Sequence, residues 1–142
     1  MPTRKAHATW EKGLQNGHGS FRGEGGAISG QYSFASRFQN GTGSNPEELL
    51  AAAEAACFSM ALSLGLERNG TPAERVDTDA ACTIDKAGDG FKITTMALTV
   101  RAKVSGLDDA KFQEIARATK EGCPVSQALK GNVDITIDAQ LE

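Results

Sequence analysis

The sequence predicts an α+β fold in which antiparallel sheets wrap around one buried central helix. Three observations carry this expectation. Residues 46–68 form a long apolar stretch opening on a helix-start signature. Segments such as 32–38 and 133–141 alternate apolar and polar residues with the period of a half-buried strand. Short Gly-rich turns separate the strand-like pieces. No linker or internal repeat interrupts the 142 residues, so they read as a single domain, 1–142.

Taken in order, His7 to Glu11 and Gly19 to Gly23 read as short strands with Gly-rich turns between and after them. Tyr32, Phe34, Ser36 and Phe38 alternate with Gln31, Ser33, Ala35 and Arg37, which predicts a third strand with Arg37 opposite its aromatic face. Asn45-Pro46-Glu47-Glu48 then supplies an N-cap, a proline at the first helical position and a capping-box glutamate. The helix runs to about Arg68, with Gly70 as its stop. From Leu49 to Leu66 its one charge is Glu54. A membrane span is rejected because the run is rich in Ala and Ser and contains that acid. A helix apolar all round is expected to be buried on every side.

Val76 to Asp85 reads as a strand, and Ala87-Gly88-Asp89-Gly90 as a hairpin turn. In the next strand the apolar parity changes between Ile93 and Met96, which predicts a bulge near Thr94-Thr95. Asp108 or Asp109 caps an amphipathic helix that ends at Gly122. A short helix, Pro124 to Lys130, stops at Gly131, and Val133 to Leu141 alternates as a strand with one wet face.

Composition removes several function classes. Fifteen Lys and Arg against eighteen Asp and Glu give a net charge of -3, which argues against a nucleic-acid partner. Residues 1–10 are polar and lack the apolar core of a signal peptide, so a cytoplasmic, reducing setting is expected. His7, His18, Cys57, Cys82 and Cys123 show no CxxC or HxxxH spacing, so no metal site is read. No phosphate-binding glycine motif is present.

The three cysteines are what remains. Cys82 sits in a strand with Ala80 and Ile84 on the same face, and reads as packing. Cys57, in the middle of the apolar helix, is either a buried small hydrophobe or a reactive thiol. Cys123 precedes Pro124 at a helix start, where free N–H groups and the helix dipole favour a thiolate. A dithiol chemistry is open to such a chain: one thiolate attacks a peroxide O–O bond, becomes a sulfenic acid, and a second thiol condenses it to a disulfide. The first thiol then needs a cation. Arg37 is the candidate, with Glu47 or Glu48 to hold it, and a solvated strand residue is the plainer alternative.

Four blocks resemble one family: Phe34-Ala-Ser-Arg37-Phe38, Gly43-Ser-Asn-Pro-Glu-Glu-Leu49, Ala55-Ala-Cys57-Phe-Ser-Met-Ala-Leu62 and Gly122-Cys-Pro-Val-Ser-Gln127. Together, and in this order, they are similar to the osmotically inducible protein C branch of the OsmC/Ohr superfamily of thiol-dependent hydroperoxide peroxidases. The resemblance implies an intertwined homodimer with active sites at the subunit interface. It implies Cys57 as the peroxidatic and Cys123 as the resolving cysteine, a pairing that spacing alone does not establish. It also implies Arg37 as the catalytic cation and Glu47 as the carboxylate that pairs with it. The stretch Lys12 to His18 lacks the hairpin arginine of the Ohr branch, which favours the OsmC branch.

By resemblance, the reaction is reduction of organic hydroperoxides, with hydrogen peroxide left open as a second substrate. No cofactor is implied, and the Cys57–Cys123 disulfide would be reopened by an external dithiol of the dihydrolipoamide type. As a resolving thiol, Cys123 is expected to be exposed enough for exchange. The rival is a non-catalytic dimer of the same fold, either a one-shot redox sensor or a binder of apolar small ligands.

Overall fold

The computed structural model describes residues 1–142 as two compact units, Met1–Leu49 and Leu50–Glu142. The first unit holds an antiparallel three-stranded sheet, β1 (Ala6–Glu11), β2 (His18–Gly23) and β3 (Ser29–Tyr32), in that spatial order. A short helix, α1 (Phe34–Phe38), follows, and helix α2 (Pro46–Arg68) opens within this unit and runs on into the second.

The expected third strand over 32–38 is therefore cut short. Ser33 caps α1: its hydroxyl accepts the Ser36 N–H at 3.1 Å, and its own N–H donates to Ser36 Oγ at 2.8 Å. This reciprocal serine box satisfies local backbone donors that a period-two reading ignores. Arg37 consequently does not stand opposite an aromatic face. Its guanidinium carbon lies 5.3 Å from the centre of the Phe38 ring.

At the start of α2, Asn45 Oδ1 accepts the Glu48 N–H at 2.8 Å, as the capping signature predicts. Glu48 itself accepts the Ser44 hydroxyl at 2.6 Å instead of completing the box. The helix stops where expected, with Gly70 at φ 82° and the Thr71 N–H donating to the Leu66 carbonyl at 3.0 Å.

The second unit places a sheet of order β4-β5-β6 beneath helices: β4 (Ala73–Ala87), β5 (Gly90–Val104) and β6 (Asp134–Leu141), with α3 (Asp109–Gly122) and α4 (Pro124–Leu129) between the last two strands. The β4–β5 hairpin turns at Gly88, φ 61°, and its register shifts between Thr83 and Ile84 opposite Thr95 and Ile93, where the parity change predicts it. One expectation fails: β6 pairs with β5 in parallel. The α3–α4 crossover carries the chain back to the sheet edge in the same direction, so the sheet is mixed and not antiparallel throughout.

The core of this unit is built on α2 and β5. Phe58, Leu62 and Leu66 pack with Met96, Leu98, Val100, Phe112 and Ala116, all at 2% exposure or less. Gly65 allows close approach of α3, since a Cβ there would lie 3.0 Å from Ile115 Cγ2. Phe58→Ala is expected to lower unfolding stability by about 3–5 kcal/mol, read from urea denaturation.

The expectation that α2 is buried on every side is corrected. Ala52, Ala53, Ala56, Ser63 and Leu64 are exposed, and Met60 is 76% exposed. A single sheet covers a single face of a helix, however apolar the remaining face is. By length and composition α2 could cross a membrane. Its Phe58–Leu62–Leu66 face nevertheless forms the core on the sheet, and Ser59 Oγ donates to Thr78 Oγ1 of β4 at 2.8 Å.

Candidate active site

The second unit brings Cys57 and Cys123 together across 66 positions of sequence. Cys123 Sγ lies 3.2 Å from Cys57 Sγ as a thiol–thiol contact. Cys57 projects from the middle of α2, and Cys123 is the single residue joining α3 to α4. Pro124 requires an extended residue before it, and Cys123 complies with φ −62° and ψ 124°. Its N–H donates to the Thr119 carbonyl at 2.8 Å, and its carbonyl accepts the Gln127 N–H at 2.9 Å. The junction is therefore held at both ends, with the side chain pressed against α2.

Two expectations about Cys123 are corrected by this packing. It is fully buried, 0% exposed, and not open for exchange; the half-buried Cys57 is the accessible member of the pair. No helix-start N–H caps the Cys123 side chain. Instead the Val125 backbone N–H at the start of α4 donates to Cys57. The dipole end that sequence reasoning assigns to one cysteine serves the other, because the two sulfurs meet at the same helix start.

Burial pushes the Cys57 thiol above the ordinary thiol range. The Val125 N–H opposes this by favouring thiolate, while Cys123 and the Glu54 charge both raise the value further. In a Cys123→Ala protein the midpoint of Cys57 alkylation by iodoacetamide should move to lower pH. A neighbour whose influence raises the Cys57 thiol has then been removed.

Glu54, three residues before Cys57, is fully buried, and its Oε1 accepts the Ser126 hydroxyl from α4. Sequence reasoning misses both residues as site members. The signal was present for Glu54, the lone charge in an eighteen-residue apolar run. For Ser126 there is none, since only packing brings it to Glu54.

The first unit brings Arg37 and Glu47 together. Arg37 Nη2 donates to Glu47 Oε1 at 2.9 Å, and Nε donates to Oε1 and Oε2 at 3.2 and 3.3 Å. Glu47 is nearly buried, with 7% of its side chain exposed against 34% for Arg37, so the carboxylate fixes the orientation of a guanidinium that keeps a free edge. Arg37 also lines a cleft of about 210 Å³ with Trp10, Leu14, Tyr32, Phe34 and Phe38, which sets an apolar wall beside the cation. Cys82 lies on β4 among partly buried residues packed on the core, in keeping with a packing role.

A dithiol in contact, a guanidinium held by a buried carboxylate and an α+β fold of two small sheets define a thiol-redox class of protein. The chain belongs to the OsmC-like protein family, whose model matches residues 39–138. It is 45% identical over 140 residues to peroxiredoxin OsmC of Escherichia coli (strain K12), covering 98% of this chain and 96% of that protein. It is 38% identical over 98 residues to organic hydroperoxide resistance protein OhrB of Bacillus subtilis (strain 168), covering 68% of this chain and 70% of the other. Among solved structures it resembles an organic hydroperoxide resistance protein OsmC from Legionella pneumophila. The TM-score there is 0.73 at 26% identity, over 99% of this chain and 98% of that one.

Proposed function

We propose that the protein is a thiol-dependent peroxidase that reduces organic hydroperoxides to alcohols. The observation that carries this reading is the 3.2 Å contact between two thiols on separate helices, one accessible and one buried. The Cys57 thiolate attacks the outer peroxide oxygen; an S–O bond forms, the O–O bond breaks, and the leaving alkoxide takes a proton to become the alcohol. Cys123 then attacks the Cys57 sulfenic acid, closing a disulfide and releasing water. An external dithiol of the dihydrolipoamide type reopens it by exchange, entering at the accessible Cys57 sulfur.

Family membership supports the assignment of Arg37 as the cation that stabilises the Cys57 thiolate and orients the peroxide, with Glu47 as its anchor. The aromatic cleft around Arg37 supports an organic substrate over hydrogen peroxide, since it offers apolar area that only a hydrocarbon group would use. We further propose a homodimer: the open apolar face of α2 supports burial by a second copy. Sedimentation should then give twice the chain mass. The family likeness supports a cytoplasmic enzyme that acts on small molecules.

The test uses fully reduced protein, one equivalent of cumene hydroperoxide and no oxygen. Two of three thiols should disappear, and mass spectrometry should find Cys57 joined to Cys123 with Cys82 unmodified. Retention of all three thiols would overturn the peroxidase reading. Oxidation that occurs once but is not reversed by any dithiol would instead establish a sensor.

A further inference from the structure

The mechanism just given leaves one buried ionisable group unused. Glu54 is 0% exposed, and while its Oε1 accepts the Ser126 hydroxyl, its Oε2 has no hydrogen-bond partner. Burying a carboxyl oxygen in that state costs free energy that an alanine or leucine in the same place would not. Its position suggests what is gained. Residues three apart on a helix are neighbours, so Glu54 stands beside Cys57 on α2. Ser126 lies in the first turn of α4, which opens on Cys123. The Glu54–Ser126 bond and the Cys57–Cys123 contact thus join the same two segments side by side. Ser126 also lines a cleft of about 170 Å³ together with Lys120, Glu121, Lys130 and Asp134.

We propose that Glu54 and Ser126 are a proton-holding and positioning pair for the Cys57–Cys123 dithiol. The Glu54 carboxylate stores a thiol proton during disulfide closure, and Ser126 both holds α4 in register and links that carboxylate to the cleft. This deepens the dithiol reading and rests on it. In the closing step the Cys123 thiol gives its proton to Glu54, and its sulfur forms the S–S bond as the Cys57 S–O bond breaks. The departing hydroxide recovers the proton from Glu54 and leaves as water. The Cys123 sulfur is oxidised and the Cys57 sulfur reduced by the same amount, and no proton is gained or lost overall. Cys123 itself is fully buried, so a store beside the sulfurs spares its proton a direct transfer to bulk solvent.

The ionisable groups around the pair are few. Cys57 shares its helix, Cys123 sits at the α3–α4 junction, and Cys82 of β4 packs on the same core. Around the cleft stand Lys120, Asp134 and the Lys130–Glu121 ion pair, 2.8 Å apart.

Glu54→Gln keeps the side-chain shape and an acceptor for Ser126 but cannot hold a proton. After one equivalent of cumene hydroperoxide, dimedone trapping should show sulfenic acid forming no more slowly than in the unaltered protein. Disulfide closure near neutral pH should slow on the order of 10²-fold. The pH midpoint of Cys57 alkylation should fall, because the Glu54 charge is one of the influences that raise it. Ser126→Ala should slow closure in the same way, and Ser126→Thr, which keeps the hydroxyl, should recover most of the rate. The serine pair also decides the matter if Glu54→Gln does not fold. Closure at the original rate in the Glu54→Gln and Ser126→Ala proteins would overturn the proposal, wherever the alkylation midpoint lies. Closure driven by diamide is run in parallel. Unaltered protein that closes with diamide but not with peroxide would sink the peroxidase reading, and the Glu54 and Ser126 comparison would be read from the diamide series.

Discussion

A Cys57→Ser protein is expected to reduce cumene hydroperoxide no faster than buffer, a loss of at least about 10³-fold in turnover. The serine hydroxyl ionises far above the working pH and forms no stable counterpart of a sulfenic acid, so neither half of the cycle remains. The substitution is small and leaves an oxygen to accept the Val125 N–H. The fold should therefore persist, which circular dichroism and an unchanged urea midpoint would verify. Alcohol production is measured by chromatography with dithiol in excess. Turnover at the original rate would show that the reacting thiol is not Cys57.

Cys123→Ser has the second largest expected effect and a different signature. The first oxidation of Cys57 proceeds, because the thiol that meets the peroxide is still there. What disappears is a resolving sulfur held 3.2 Å away, whose effective concentration no dissolved thiol approaches. Reaching a disulfide from that contact requires the sulfurs to close to about 2.05 Å, a short movement at one helix junction. Without it, Cys57 is expected to rest as sulfenic acid and, under excess peroxide, to gain a second oxygen and become sulfinic acid. Intact-mass spectrometry separates these states, and dithiol-dependent turnover should fall on the order of 10²-fold. The altered protein should also be less stable by about 1–3 kcal/mol, since a hydroxyl then occupies a fully buried site. Sustained turnover without overoxidation would remove Cys123 from the cycle.

Both expectations depend on a division of labour that packing creates. Cys57 is reachable and Cys123 is not, so in the proposed cycle peroxide and reductant meet the same sulfur while the buried partner is shielded from both. The cost is a Cys57 thiol held above the ordinary range, and the Val125 N–H only partly offsets it. A thiolate at neutral pH therefore asks for a cation, which is the role proposed for Arg37.

What a few adjacent residues set is legible in the chain. The Asn45 cap, the Gly70 stop, the Gly88 turn, the Thr94 bulge and the Asp108 cap are each set by a few adjacent residues, and each is found where those residues put it. The cysteine blocks and the Arg37–Glu47 pair were legible as a family pattern, and the ion pair is present. The failures have two kinds of cause, one local and one long-range. Alternation over 32–38 lost to a serine box, because hydrogen bonds between neighbours outweigh a weak periodicity. The direction of β6 follows from a crossover that no single segment encodes.

By itself, the sequence determined the inventory and its helices: a thiol in an apolar helix, a thiol before a proline, one acid among alanines and a capped guanidinium partner. Those properties arise from residue chemistry and nearest neighbours, which composition and spacing record. Only the tertiary structure decided that Cys57 and Cys123 touch, which of them is exposed, whose sulfur receives the α4 N–H, and that Glu54 is bound to Ser126. Each of these joins residues about 66 or more positions apart through the packing of α2 against the α3–α4 junction. Burial and contact at that range follow from the filling of one shared core, which no stretch of chain carries alone.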